Sequence, residues 1–97
     1  MRRLAAAVDG NQARIVEALR SLGCSVHILS MVGGGCPDII CGYHKRNYLL
    51  EVKDPAQPLN KQRLTRDQLA FHAAWRGQVC VVKTVDEALR AVGAIHE

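Results

Sequence analysis

The chain has 97 residues, enough for one domain over residues 1–97 with a modest core. Its net charge of +4 favours a polyanionic partner, while 48% apolar residues argue against a disordered chain. No apolar run approaches the length of a membrane span, and Cys24, Cys36, Cys41 and Cys80 lack the paired spacing of a zinc site.

Near the start, Leu4–Val8 is too short for the apolar core of a signal peptide, and Asp9 ends it. A cytoplasmic chain with reduced thiols is expected. Asp9 or Asn11 can cap a first helix reaching about residue 22. Ile15, Leu19 and Leu22 form its apolar stripe and Gly23 stops it. Residues 26–32 read as a strand. Gly33-Gly34-Gly35 then allows a tight backbone that another chain segment can approach closely, and Pro37 stiffens the exit.

Residues 38–41 read as a second strand, residues 42–46 as a turn with a basic tip, and residues 47–53 as a third strand. A polar loop with Pro55 and Pro58 follows over residues 54–64. Thr65 opens a helix to about residue 76, where Phe71 and Trp75, four apart, read as core residues rather than base-stacking groups. Residues 78–83 form a fourth strand. Thr84 caps a last helix, with Glu87 completing a capping box and Val85, Leu89 and Val92 on the buried side. The expected order is αβββαβα, an α/β fold.

Side chains alternate along a strand, so Glu51 and Lys53 share a face with Leu49, while Tyr48, Leu50 and Val52 face inward. A charged pair ending an apolar strand is costly to bury without a role or a partner. Asp38 opens the neighbouring strand, so a hairpin can bring its carboxylate beside Glu51. Two converging carboxylates suit Mg²⁺ or Mn²⁺, and the Val52 carbonyl is a further candidate ligand. Lys53 would supply positive charge beside an attacked phosphate. A plain surface ion pair accounts for the same spacing. Gln68 can point back to this site, although Thr65-x-x-Gln68 is also a capping box. Lys45, Arg46, Lys61, Arg63 and Arg66 are candidate phosphate contacts on DNA, or simply solvated charges. His72 reads as a surface or interface histidine rather than a catalyst.

Gly35-Cys36-Pro37-Asp38, Glu51-Val52-Lys53 and Leu64-Thr65-Arg66-Asp67-Gln68 together resemble the VRR-NUC family of the PD-(D/E)xK nuclease superfamily, over roughly residues 9–93. The compact length is similar to small stand-alone phage and prophage members, a resemblance that implies a bacterial or phage-infected host cell. The resemblance implies a restriction-endonuclease-like mixed sheet flanked by helices and a metal-dependent DNA endonuclease. Asp38 and Glu51 would bind metal, Lys53 would be catalytic, and Gln68 would match the family's helix glutamine. It also implies a homodimer acting on branched DNA such as four-way junctions. Relatives carry a first-helix glutamate at a position that aligns here with Arg14. Glu17, one turn on, is the only acid in this helix and a candidate third ligand. A nuclease fold that holds branched DNA without cutting it is the alternative. The apolar segments near Phe71, Trp75 and residues 79–82 are candidate dimer surfaces.

Overall fold

The computed structural model of the chain describes residues 10–95; the Asp9 cap and Leu4–Val8 lie outside them. The elements are α1 (Gly10–Ser21), β1 (Ser25–Ile28), β2 (Ile39–Tyr43), β3 (Arg46–Val52), α2 (Leu59–Gln62), α3 (Arg66–Ala74), β4 (Cys80–Val82) and α4 (Val85–Ala91). The four strands form one mixed sheet in the order β1-β2-β3-β4. β1, β2 and β3 are an antiparallel meander, and β4 runs parallel to β3 after a helical crossover. The expected α/β class with a mixed, helix-flanked sheet is what forms. The departure in element order is the single turn α2, which interrupts the expected loop just after Pro58.

One face of the sheet carries the core. Val26, Ile39, Cys41, Leu50, Val52 and Val82 point into it, and Ile15, Val16 and Leu19 of α1 meet Ala88, Leu89 and Val92 of α4 above them. This is the alternation anticipated for β3, with Leu50 and Val52 inward and Tyr48 packed at the margin. Asn11 caps nothing. It lies inside α1, buried, and its side-chain amide donates to the carbonyls of Lys53 (2.9 Å) and Lys83 (3.1 Å). The start of α1 is thereby tied to the adjacent ends of two parallel strands. Leu22 falls beyond the end of α1 and is exposed, because the chain turns away at Gly23 with φ +93°.

β1 is shorter than its apolar run. Leu29 N–H still donates to Asp38 O, but Pro37 has no N–H to continue the ladder, and Met31 and Val32 turn outward. The β2–β3 turn is tighter than expected: His44 and Lys45 both adopt positive φ, as a two-residue hairpin turn requires. At α4, the Thr84 hydroxyl accepts from Glu87 N–H, but the Glu87 carboxylate accepts from Lys83 N–H, so the reciprocal bond falls one residue early.

Among the described residues, α3 is the helix on the second face of the sheet, and none of its side chains is fully buried. Phe71 and Trp75 are therefore not core residues. They stack on each other with ring centroids 5.0 Å apart, and Trp75 is 47% exposed.

Candidate functional site

Asp38 immediately precedes β2, whose first residue pairs with Leu50, so its carboxylate lies beside the end of β3. There it accepts from Val52 N–H at 2.7 Å. Glu51 points to the second face and is 2% exposed. Lys53 Nζ lies 3.8 Å from Glu51 Oε2 and donates to Gln68 Oε1 at 2.8 Å. Gln68 Nε2 donates in turn to Glu51 Oε2 at 3.1 Å. The structure thus brings Asp38, Glu51, Lys53 and Gln68 together, at the C-terminal ends of the parallel pair β3–β4.

Gln68 resolves its two sequence readings by doing both. Its N–H donates to the Thr65 hydroxyl and its Oε1 accepts from Thr65 N–H at 2.9 Å, a complete capping box. The same Oε1 accepts from Lys53. The first turn of α3 can come this close because of Gly35. Its φ is +81°, and a side chain at this position would overlap the Asp67 carbonyl oxygen. The glycine run therefore admits the helix backbone against the loop before Asp38.

The electrostatics of the site are strained. Burial pushes the Glu51 carboxyl up from 4.5 to about 8, reinforced by the neighbouring carboxylate of Asp38 and opposed by Lys53. Glu51 Oε1 is buried with no hydrogen-bond partner. A carboxylate oxygen in that position is satisfied by a proton or by a cation. Cys36 borders the site, and its thiol is raised by burial and then by Glu51 and Asp38, which makes it a poor source of thiolate. His72 is lowered by burial and then by Lys53. It is half-buried beside the lysine, not a free surface histidine, and its Nε2 is also buried without a partner.

The cleft has a volume of about 430 Å³. Val52 and Lys61 line it, as do Gln12 and Ser30, which the sequence reading did not single out. Gln12 is 5% exposed and its Nε2 donates to Ser30 Oγ at 3.3 Å. The first helix therefore presents an amide to the cleft. Glu17 is exposed and lines a separate groove with Val16, Arg20 and Ile28, away from the carboxylates. Arg14 is also exposed. A signal for Gln12 existed in its position one residue after Asn11 in an otherwise apolar-faced helix, but only packing shows which way it points. Lys45 and Arg46 sit at the hairpin tip, roughly 20 Å along β3 from Val52. Arg63 and Arg66 are exposed on the segment leading into α3.

Among the described residues no group of three His, Cys, Asp or Glu side chains forms a metal cluster. Mg²⁺, however, is commonly held by one or two carboxylates, with waters and substrate phosphate completing its shell. An all-oxygen pair with one unpartnered buried oxygen fits that requirement. No helix among the described residues is long and apolar enough to cross a membrane. No family model, curated protein or solved structure matches the chain.

Proposed function

We propose that this chain is a Mg²⁺- or Mn²⁺-dependent DNA endonuclease of restriction-endonuclease-like architecture, acting on branched DNA. The observation that carries the reading is Glu51: a buried carboxylate held against a second carboxylate, with one oxygen lacking a partner. A folded protein tolerates such a group when a ligand or a proton satisfies it. The resemblance of the same residues to VRR-NUC motifs points the same way, and the mixed sheet supports it at the level of fold class.

Asp38 and Glu51 are the metal ligands in this reading, with the Val52 carbonyl as a candidate third. The cation would polarise a phosphoryl oxygen and acidify a bound water. Lys53 offers its ammonium to the charge that develops on the attacked phosphate. Gln68 keeps Lys53 and Glu51 in one arrangement by bonding both. The raised Cys36 thiol favours water over sulfur as nucleophile. Lys61 meets phosphate at the cleft, and Arg63 and Arg66 extend the contact along the strand.

Purified protein is incubated with labelled four-way-junction, flap, duplex and single-stranded DNA, with Mg²⁺, Mn²⁺ or EDTA. Metal-dependent cutting that disappears in Lys53→Ala is the expected result, and full cutting by that variant overturns the assignment. A second reading, a module that holds branched DNA without cutting it, is favoured by the amide of Gln12, where a third carboxylate would strengthen metal binding. Binding without cutting under every metal selects it. A homodimer would place two such clefts on opposite strands; a monomeric mass in sedimentation at assay concentration removes that part of the proposal.

A further inference from the structure

Next to the cleft, on the same face of the sheet, lies a second and more apolar groove of about 510 Å³. Its floor is Ile40 and Leu49, paired across β2 and β3, with Leu29 at one side. Its wall is the stacked pair Phe71 and Trp75 at the end of α3. Cys36 lines it two residues before Asp38, which lines the cleft, so the groove and the cleft are neighbours. Leu49 and Glu51 are consecutive residues of one strand face, about 7 Å apart. Along α3, Gln68, Phe71 and Trp75 follow at helical spacing, about 10 Å from first to last.

We propose that this groove receives the unpaired bases of a DNA strand whose phosphate enters the cleft. The inference rests on the nuclease reading and narrows its substrate to DNA with single-stranded nucleotides at the cut. Charge decides the occupant. The segment of residues 61–76 that carries the aromatic pair exposes Lys61, Arg63, Arg66 and Arg76 against one acid, Asp67. The aromatic stack is half-exposed and the segment that carries it is basic, which suits a polyanion that bears aromatic rings. A second copy of the chain docking here through a two-fold axis would set those cations against their own kind. The Gln78 side chain at the rim is spent, donating to Leu49 O at 3.0 Å and accepting from Leu49 N–H. Asn47 is the other amide lining the groove and can meet a base edge, while the aromatic pair supplies the stacking face.

Trp75 is the only tryptophan, so it reports on its own groove. Its fluorescence is followed in EDTA as an oligodeoxynucleotide, its blunt duplex or the matching oligoribonucleotide is added, and binding of the labelled strands to variants is read by anisotropy. The single deoxy strand should quench Trp75 and the duplex should not. Trp75→Ala should weaken single-strand binding about 5- to 150-fold and leave duplex binding unchanged. Trp75→Phe, which keeps an aromatic face, should recover most of the loss. Equal response to duplex and single strand, or no loss in Trp75→Ala, overturns the proposal. Tighter binding of the oligoribonucleotide overturns the DNA assignment, and a dimer that Trp75→Ala splits in sedimentation gives the groove to a second copy. None of these readouts needs cleavage. A protein that cuts DNA while Trp75 stays silent loses the groove and keeps the nuclease; one that quenches and never cuts does the reverse.

Discussion

Glu51 concentrates the energetics of the molecule in one side chain. Its carboxyl is raised in the folded protein, so the native state holds a proton that the unfolded chain has already lost. Stability then falls as pH rises from about 4.5, where the unfolded carboxyl ionises, to about 8, where the folded one does, and levels off beyond. Metal-free Glu51→Gln should lack this decline and unfold at a higher temperature than the parent at pH 8, by differential scanning calorimetry. A divalent cation must displace the same proton, so Mg²⁺ should raise the parent's Tm more at pH 8 than at pH 5 and leave Glu51→Gln unmoved. Gln68 is a test of positioning. Gln68→Ala removes the bonds to Lys53 and Glu51 together with half of the capping box, costing about 1 kcal/mol of stability. It should slow cleavage about 10- to 100-fold, as losing an orienting partner does at metal sites. A variant that cuts at the parental rate would show that Gln68 is only a cap.

Among the elements, α3 is the adjustable part. It buries no side chain completely, so it is positioned by polar bonds and by its close approach to Gly35 rather than by a core. Gly35→Ala forces the Asp67 carbonyl away and carries Gln68 with it. Cleavage should drop about 100-fold, since displacement near 1 Å at a reacting centre has that effect. The far-UV circular dichroism should change little, because the packed layer of α1 and α4 lies on the other face of the sheet. Loss of the whole fold in Gly35→Ala would refute this division of labour. α1 behaves oppositely: its apolar stripe is locked into the core, and Asn11 pins its start to the ends of β3 and β4.

Over the whole molecule, the meander and the parallel β4 put the hairpin tip at one end of the sheet and the carboxylates at the other. The candidate phosphate contacts thus fall in two places, Lys45 and Arg46 at the tip and Lys61, Arg63 and Arg66 toward the cleft. Binding of a short DNA centred on the cleft should weaken with salt, and Lys61→Ala or Arg66→Ala should each lower the log–log salt slope by about one. Lys45→Ala should change that slope less, because its side chain lies roughly a full strand length from the cleft. Equal effects from both ends would indicate that DNA runs the length of the sheet.

The local signals in this chain were strong because they depend on neighbours in sequence. Strand alternation put Leu50 and Val52 inward and Glu51 and Lys53 opposite. Gly23 ended α1, Thr65 and Gln68 made a capping box, and Pro37-Asp38 opened β2. The pairing of β2 with β3 then follows from a short turn, which is why Asp38 and Glu51 could be matched before any coordinates. Contacts between distant segments were not legible. Asn11 reaching Lys53 and Lys83, Gln12 turning into the cleft while Glu17 turns away, and Phe71 and Trp75 lying outside the core all depend on which sheet face each helix covers. Apolar spacing identifies a helix face that leaves water, but it does not say whether a core, a second helix or nothing lies beyond it. Only the packing of α1 and α4 on one face, with α3 on the other, decided that.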